Sequence, residues 1–314
     1  MGEELAVGRV PGMDHDHYPF SAIVDRPPLK WPDGRRVAFC LLVSVEHFDW
    51  IPAEDAFFAS PTGLPHGRIQ PPELRPYTQR QYGNRVGVFR LMDILDRHQL
   101  RATMAIDATA ASLCPEIVSE AKKRNWEFIC HGVSVTRMVT SKMTEDQERT
   151  YIAQAMDGVA AAVGHRALGW LSPEYSESMR TPTLLAEAGL RYVCDWPNDE
   201  QPYLMRTDAG TLVSLPPLLD LDDAITHSVR HVSIMRYGRL VRETFDQLYA
   251  DGRASGRLML MNIHPWLLGH PFRSKYLDEI LTHVQRHDGV WFATAGEVAD
   301  WVLNQHRPAR APDR

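Results

Sequence analysis

Ionisable side chains follow the apolar segments of this sequence at the points where buried strands would end. The first segment, "VAFCLLVSV", runs directly into Glu46, His47 and Asp49. Later apolar segments end in the same way, at Asp107, His131, Glu174, Asp195 and His264. Carboxylates and imidazoles together suit the activation of water and the protonation of a leaving amine. The pattern therefore indicates hydrolytic chemistry, provided that the fold brings these strand ends together.

The elements that would position these groups alternate regularly along the chain. The predicted strands are "VAFCLLVSV", "ATMAID", "EFICHG", "ALGWLS", "YVCDW", "TLVSLP", "RLMLMNIH" and "VWFAT". Most lack polar alternation, as expected when both faces of a sheet are covered. Helical patterns separate them, including one that opens at Thr144 with a capping box completed by Gln147. This alternation predicts an α/β fold, a single-domain (β/α) barrel of seven or eight parallel strands.

Two segments stand outside the alternation. Residues 1–35 are predicted to form an extended N-terminal arm, residues 36–303 the barrel, and residues 304–314 a C-terminal tail. Residues 47–84 form a long insertion directly after the first strand. Segments of this length inside a compact domain are commonly functional or interface-forming, and the aromatic side chains of this one need burial. The insertion is therefore predicted to wall the site or to contact another subunit.

Composition and charge narrow the class of protein. The 314 residues are 44% hydrophobic and 24% charged, with a formal net charge of −6, which argues against a nucleic-acid or anionic-membrane binder. No apolar run approaches the roughly 20 residues of a membrane span, and the acidic N-terminus lacks a secretory pattern. The four cysteines are widely spaced with no CxxC pair, which indicates reduced thiols in a cytoplasmic protein. Glycine-rich nucleotide motifs and a Gly-x-Ser-x-Gly elbow are absent from the sequence.

The strand ends resemble those of the polysaccharide deacetylase family, the NodB homology domain, over roughly residues 30–303. The resemblance is carried by "LVSVEHF", "EFICHGVSVTRM", "GWLSPEYSESMRTPTLLAEAG", "YVCDWPNDEQPY", "MNIHPWLLGHPFR" and "VWFATAGEVADW". It is strongest toward the intracellular branch with metal-independent allantoinases, cyclic imide hydrolases and peptidoglycan-deacetylase-like enzymes. It implies a deacetylase-type barrel, a hydrolase acting on carbon–nitrogen bonds other than peptide bonds, and a homo-oligomer, a tetramer in related members.

The chain departs from the metal-dependent members of that family at three places. Those members carry Asp-x-Asp at the first strand end, where this chain has Ser44 and Glu46. They carry His-x-x-x-His at the third, where Val135 follows His131, and an Arg near the fourth, where this chain has Leu171. A shift of register by two residues would exchange the roles of Ser44 and Glu46.

These departures bear on the cofactor. The resemblance implies Glu46 and His131 as metal ligands, and His47 or Asp107 could supply a third. A catalytic zinc typically takes three protein ligands, so the site looks incomplete. The expectation is no cofactor, with zinc or another divalent metal as the alternative.

Without a metal, Glu46 is the expected general base, because burial raises the pKa of a carboxyl group. His131 would orient the attacking water or polarise the substrate carbonyl. His264, which resembles the family's general acid, would protonate the leaving nitrogen. Asp195 would hold one imidazole in the needed tautomer.

Four further residues are predicted to bind the substrate, namely Glu174, Trp196, Trp266 and Ser44. A pocket with few cations and several aromatics suits a small, uncharged, planar molecule. The sequence therefore predicts hydrolysis of a small, perhaps cyclic, amide, imide or ureide. The alternatives are a metal-dependent deacetylase of N-acetylated sugars and a catalytically inactive barrel that acts as a binding or scaffold protein.

Overall fold

The computed structural model describes residues 15–52 and 74–306 of the chain. Within these ranges one sheet contains β1 (Val37–Val45), β2 (Thr103–Ile106), β3 (Glu127–Cys130), β4 (Gly169–Trp170), β5 (Tyr192–Val193), β6 (Tyr203–Thr207), β7 (Gly210–Ser214), β8 (Arg257–Ile263) and β9 (Val290–Phe292). The helices are α1 (Leu74–Tyr82), α2 (Val88–Arg97), α3 (Ala108–Leu113), α4 (Pro115–Lys123), α5 (Glu145–Val163), α6 (Thr181–Glu187), α7 (Ile234–Asp251), α8 (Pro271–Gln285) and α9 (Ala295–Gln305).

The sheet is curled and mostly parallel. Its strand order is β6-β7-β5-β4-β3-β2-β1-β8, with β9 also paired to β1. Only β6 runs antiparallel among the strands of the described ranges. A single parallel bridge between Pro217 and Leu260, with a 2.9 Å hydrogen bond from the Leu218 amide to the Leu260 carbonyl, brings the end of the β7 segment against β8. The predicted α/β barrel fold is confirmed, with closure reduced to this bridge.

The alternation of side chains along β1 divides the core into two parts. Val37, Phe39 and Leu41 point outward and pack under the helices. Ala38 and Cys40 point inward, into a second apolar cluster that fills the lower part of the barrel. Because side chains in a strand alternate with period two, the inward series of β1 continues upward from position 38 through 40 and 42 to 44 and 46. The interior thus changes from apolar to polar at the carboxyl ends of the strands.

Helix α1 reaches this end of the barrel through a close backbone approach. A π-helical turn, Gly83–Gly87, joins α1 to α2. A Cβ atom at Gly83 would lie 2.7 Å from the Trp266 amide nitrogen, and one at Gly87 would collide with the Pro265 carbonyl. Glycine at these two positions lets the helix pack directly against the loop that follows β8.

The structure agrees with most sequence predictions and adds one strand. All eight predicted strand segments contain strands of the sheet, and the capping box of α5 is present with Thr144 and Gln147 in the expected roles. Strand β6 was not predicted, because it pairs in an antiparallel hairpin outside the strand–helix alternation. All four cysteines are free thiols. Among the described residues no helix has both the length and the apolar character needed to cross a bilayer. The predicted arm and insertion lie partly outside the described ranges, which begin at residue 15 and omit 53–73.

Candidate active site

Three predicted catalytic side chains meet at the polar end of the barrel interior. Glu46 continues the inward series of β1, His131 follows the inward Ile129 of β3, and His264 lies two residues beyond the inward-facing position 262 of β8. The exposed fractions of the three residues are 4%, 2% and 5% respectively. The register of the strands therefore brings Glu46, His131 and His264 to one place, as the sequence predicts.

Nitrogen atoms of neighbouring side chains lie close to both carboxylate oxygens of Glu46. Its Oε2 accepts a hydrogen bond from Arg80 Nε at 3.0 Å and one from Trp266 Nε1 at 3.2 Å. Its Oε1 lies 3.2 Å from His264 Nε2 and 3.6 Å from His131 Nε2. Burial by itself raises the pKa of this carboxyl, but Arg80, His264 and His131 outweigh it and hold the pKa well below 4.5. The expected elevation of this pKa is wrong, because a buried cation and two imidazoles face the carboxylate.

His264 lies between two carboxylates. Its Nδ1 lies 2.6 Å from Asp223 Oδ1, and its backbone amide donates to the same carboxylate at 3.0 Å. Its Nε2 faces Glu46 Oε1. Burial lowers the pKa of this imidazole, yet the charges of Glu46, Asp222 and Asp223 raise it well above 6.5. His264 is therefore a buried imidazolium at neutral pH, poised to give up the proton on Nε2.

His131 has its two ring nitrogens in different environments. Nδ1 lies 2.7 Å from the Leu171 carbonyl oxygen, which can only accept, so Nδ1 carries a hydrogen. Nε2 is buried and has no hydrogen-bond partner within 3.5 Å among the described residues. A backbone carbonyl on one nitrogen fixes the tautomer and turns the other nitrogen into the cavity. In the neutral ring the lone pair on Nε2 then points toward Glu46 Oε1.

A hydrogen-bonded floor lies below these groups. Ser44 Oγ donates to Asn262 Oδ1 at 2.7 Å, and Asn262 Nδ2 donates to Asp222 Oδ2 at 3.0 Å. The Tyr175 hydroxyl donates to the same Asp222 oxygen at 2.7 Å. Ser44 is fully buried, and its hydroxyl is used by Asn262. The predicted substrate role of Ser44 is not supported by this placement, because Asn262 lies between its side chain and the cavity and Ser44 does not line the cavity.

The cavity above these hydrogen-bonded residues is small and lined by both acidic and basic groups. Its volume open to a water-sized molecule is about 20 Å³. The lining residues are Glu46, Arg80, His131, Leu171, Ser172, Glu174, Tyr175, Asp222, Ala224, Ile225, Asn262, His264 and Trp266. Such a volume holds one water molecule. Two of the predicted substrate-binding residues, Glu174 and Trp266, line this cavity, and their contact with a substrate stays a prediction.

Glu174 occupies the mouth of this cavity. Its backbone has a φ of 54°, in the left-handed region that non-glycine residues rarely adopt. The side chain reaches solvent, yet dense surrounding protein raises the pKa of its carboxyl, and the negative charge of Glu46 adds to the effect. A carboxyl group that is readily protonated in this position can serve as donor or acceptor for a polar substrate.

Asp195 and Trp196 lie away from the cavity. Asp195 Oδ1 accepts from the Ser172 amide at 2.7 Å, and neither imidazole has Asp195 as a hydrogen-bond partner. The expected role of Asp195, orienting an imidazole, is not supported by these contacts, because its carboxylate is used by the Ser172 amide. Trp196 Nε1 donates to Glu177 Oε2 at 2.9 Å, and its ring packs on Tyr18 of the N-terminal arm. The predicted substrate contact of Trp196 is therefore not supported either.

The remaining ionisable groups at the strand ends have structural partners. Asp107 caps α3, accepting from the Ala110 amide at 2.6 Å and from the His47 amide at 2.5 Å. His47 Nε2 lies 3.6 Å from Asp49 Oδ1, and Asp49 in turn accepts a 2.8 Å bond from Ser134. Neither Asp107 nor His47 lines the cavity. Both are thus unsuited to be a third metal ligand beside Glu46 and His131.

Sequence reasoning missed three charged residues of this site. Asp222 and Asp223 lie six and seven residues beyond the predicted strand segment "TLVSLP", so the strand-end pattern marks them more weakly than the other groups. Arg80 had no comparable signal, because it lies among polar residues of the insertion and its burial depends on the packing of α1. The insertion does wall the site, through this residue.

Part of the chain matches a known protein family. The family model described as polysaccharide deacetylase matches residues 82–193. Residues 82–193 therefore match a polysaccharide deacetylase domain. The predicted family and the predicted enzyme class, a hydrolase acting on carbon–nitrogen bonds other than peptide bonds, are confirmed at this level.

Relatives and solved structures agree with this assignment. The chain is similar to a peptidoglycan deacetylase of Helicobacter pylori, with 23% identity over 257 residues that cover 72% of this chain and 86% of the relative. A probable polysaccharide deacetylase of Pseudomonas aeruginosa has a similar structure, with a TM-score of 0.80 and 24% identity over 92% of this chain and 99% of that one. The PuuE allantoinase has a TM-score of 0.81 and 23% identity over 92% and 98% of the two chains. The two solved structures show the shared fold.

Metal-dependent members of the polysaccharide deacetylase family imply a divalent cation at this site. The buried, unpartnered Nε2 of His131 could ligate one. However, the Arg80 guanidinium occupies one oxygen of Glu46, and the imidazolium of His264 faces the other. In residues 15–52 and 74–306, no group of three potential ligands with atoms within 4.8 Å of one another contains Glu46 and His131. Glu46 and His131 therefore do not form a three-ligand zinc site. Asp222, Asp223 and His264 do have possible ligand atoms within 4.8 Å of one another, but Asp223 already holds His264 Nδ1, and Asp222 accepts from Asn262 and Tyr175. A metal-free reaction stays a prediction.

Proposed function

We propose that this protein hydrolyses the carbon–nitrogen bond of a small, uncharged amide, imide or ureide, in particular a cyclic one. The observation that carries the proposal is the pairing of two unlike imidazoles about one carboxylate oxygen. A protonated His264 Nε2 and an unpartnered His131 Nε2 lie 3.2 Å and 3.6 Å from Glu46 Oε1. One ring can donate a proton where the other can accept one, which hydrolysis of an amide requires.

The base in this proposal is His131. Its Nδ1 is held by the Leu171 carbonyl, and its Nε2 is free to take a proton from a water molecule in the cavity. The hydroxide oxygen forms a bond to the substrate carbonyl carbon, and the π electron pair moves to the carbonyl oxygen. Glu46 has a pKa too low for an effective base at neutral pH, so its carboxylate instead orients the water and keeps His264 charged.

The acid is His264. As the tetrahedral intermediate collapses, the carbon–nitrogen bond breaks and the leaving nitrogen takes the proton from Nε2. Asp223 on Nδ1 stabilises the imidazolium before transfer and holds the ring in position, the role that a buried carboxylate plays in a catalytic triad. The products are a carboxylic acid and, on the nitrogen side, an amine from an amide, an amide from an imide or a urea group from a ureide, which together contain the atoms of substrate and water. In a cyclic substrate both remain in one molecule.

The lining of the cavity supports a small, uncharged substrate. The two cations that line the cavity, Arg80 and His264, both face the carboxylate of Glu46, so neither is left to pair with an anionic substrate. The Trp266 ring offers an apolar wall. The cavity volume of about 20 Å³ requires the mouth to widen before any substrate enters, a demand that grows with substrate size.

Deacetylation of an N-acetylated sugar is the second candidate. It is supported by the similarity to the peptidoglycan deacetylase of Helicobacter pylori. It breaks the same type of bond, but places the acetyl group in the cavity and the sugar chain outside it. A catalytically inactive barrel is the third candidate, and the intact acid and base pair argues against it.

An activity assay on protein before and after treatment with a chelator separates these candidates. The substrates are allantoin, hydantoin, succinimide and N-acetylglucosamine oligomers. We expect ring opening of at least one cyclic substrate, unaffected by chelation and lost in His264→Gln. Release of acetate from the oligomers, abolished by chelation and restored by zinc, would establish the second candidate instead. The homo-oligomer and the cytoplasmic location also stay predictions, the first of which sedimentation analysis of the same protein would test.

A further inference from the structure

A second cluster of metal-binding side chains lies on the outer surface, between α7 and α8. It consists of Asp246 on α7, His283 in the last turn of α8 and His287 two residues beyond the end of that helix. The chain turns after α8 so that the two imidazoles still lie side by side, with their ring centres 5.1 Å apart. Together with the facing carboxylate they form one of the described groups whose possible ligand atoms all lie within 4.8 Å of one another. None of the three lines the cavity of the active site.

The geometry of the cluster points to a cation between the three side chains. His283 Nε2 lies 2.6 Å from Asp246 Oδ1, and His287 Nε2 lies 4.0 Å from the same oxygen. Donor atoms around a tetrahedral zinc are about 3.3 Å apart, a value that follows from bond lengths of about 2.0–2.2 Å. The two observed distances lie on either side of that value. A surface ion pair would use a single imidazole, whereas here a second one faces the same carboxylate at a distance too long for a hydrogen bond.

The imidazoles are oriented before any ion binds. His287 Nδ1 lies 3.0 Å from the His283 carbonyl oxygen, so Nδ1 carries the hydrogen and Nε2 presents its lone pair toward Asp246. Both rings pack edge-on against the fully buried Phe245, with centroid distances of 5.8 Å for His283 and 5.0 Å for His287. Tyr249 also contacts the His287 ring, at 4.9 Å between ring centres. A carbonyl that holds the ring nitrogen not used for binding, as the His283 carbonyl holds Nδ1 of His287, is typical of histidines that ligate metals.

We propose that Asp246, His283 and His287 form a surface site for a divalent cation of the zinc class, which cross-links α7 and α8. Two imidazole nitrogens and one carboxylate oxygen favour zinc, cobalt, nickel or copper over calcium or magnesium. Three protein ligands leave a coordination position for water. The side chains are 25% (His283), 28% (His287) and 51% (Asp246) exposed, so an ion can enter from solvent. Because imidazole and carboxylate ligands must be deprotonated to bind a metal, such binding weakens as the pH falls.

The test is a zinc titration of the untagged, full-length protein after removal of metals, followed by calorimetry and by thermal unfolding. His287→Gln and Asp246→Asn remove one ligand each. His98→Gln is the matched control, because His98 Nε2 lies 3.1 Å from Asp278 Oδ1 in a histidine–carboxylate pair with Gln285, not a second imidazole, on its Nδ1. A metal in the strand-end cavity would bind equally to all four proteins, so a difference between them isolates the surface cluster.

We expect the wild type and His98→Gln to bind one zinc more than the two ligand variants, or to bind it at least about tenfold more tightly. Zinc should also raise the melting temperature of the first two proteins and not that of the others. Equal stoichiometry and affinity in all four proteins would overturn the proposal. If His287→Gln fails to fold without metal, the comparison of Asp246→Asn with His98→Gln decides, and failure of the wild type to bind zinc overturns the proposal regardless of the variants.

Discussion

The buried pair of Arg80 and Glu46 allows a test of the site that requires no substrate. The two side chains are joined by a 3.0 Å hydrogen bond between Arg80 Nε and Glu46 Oε2, and they are 10% and 4% exposed. The Arg80 guanidinium also lies 4.0 Å from the centre of the Trp266 ring. The perturbation is Arg80→Met, which keeps the apolar stem of the side chain and removes its charge.

The expected loss of unfolding free energy depends on the charge of Glu46, which Arg80→Met leaves buried without its cation. At 3.0 Å the attraction of two unit charges is about 5 kcal/mol for an effective dielectric constant near 20, before the cost of burying both charges is subtracted. Removing one partner of a buried pair costs about 3–5 kcal/mol, because the other charge stays buried. His264 continues to face Glu46, so we expect Arg80→Met to lower the free energy of unfolding by about 3 kcal/mol, the lower end of that range.

The assay is urea unfolding of four proteins: wild type, Arg80→Met, Glu46→Gln and the double variant. Each single substitution leaves a buried charge with one fewer partner, and the double substitution removes both charges. The double variant should therefore be more stable than the sum of the single losses implies, by a coupling free energy of about 2 kcal/mol or more.

Arg97→Met is the matched control. Arg97 Nη2 lies at the same 3.0 Å from Asp278, but the two side chains are 60% and 41% exposed. Screening by water should keep its effect below about 1 kcal/mol. A loss for Arg80→Met no larger than that of the control, or strict additivity in the double variant, would refute the view that this guanidinium neutralises Glu46.

Three further predictions concern protons and packing near the site. Asp223→Asn should lower the pKa of His264 and move the alkaline limb of the kcat/KM profile to lower pH by about 1–3 units, and an unmoved limb would assign the acid to another group. Burial and the charge of Asp195 raise the pKa of Glu177 well above 4.5 in the folded protein, so the wild type loses stability as the pH rises above about 4.5, the unfolded value. Glu177→Gln should therefore match the wild type at about pH 4 and exceed it at higher pH in urea titrations, and an equal pH dependence of the two proteins would contradict the assignment. Gly83→Ala should cost about 1–3 kcal/mol in the same assay, because its Cβ would lie 2.7 Å from the Trp266 amide nitrogen, and a neutral effect would contradict the close packing of α1.

The pKa of His264 also sets a pH dependence of stability. Its folded value is raised above 6.5, so the stability contributed by its carboxylate partners is complete below about pH 6.5 and is lost as the pH rises through the folded value. His264→Asn should flatten this alkaline decrease of the unfolding free energy. Circular dichroism in urea, repeated at successive pH values, measures it, and an equally steep decrease in the variant would contradict the assignment.

The sequence was sufficient for the fold because its signals are local. Continuous apolar runs, helical stripes and capping residues each mark an element without reference to the rest of the chain. Strand β6 escaped prediction because a short hairpin strand of mixed polarity carries a weaker signal, with Tyr203 and Leu204 only partly buried.

The strand-end pattern also predicted three of the side chains that meet at the site, namely Glu46, His131 and His264. These residues follow strands at inward positions, and parallel strands bring their ends to the same edge. Asp195 shows the limit of this reasoning: its strand end is equally polar, but its carboxylate is used by the Ser172 amide and does not line the cavity.

The pKa values of the groups in the site depend on contacts that only the tertiary structure shows. Burial by itself would make Glu46 a base of raised pKa, and the sequence contains no sign that the Arg80 guanidinium would reach it from 34 residues away. That contact depends on how α1 packs on the loop after β8, which in turn depends on the space left by glycine. Likewise, Asp223 lies beside His264 because the sheet curls until the end of the β7 segment meets β8. The sequence determines the residue types and indicates where strands end. A pKa depends instead on distances between groups that are far apart in the chain, and folding sets those distances.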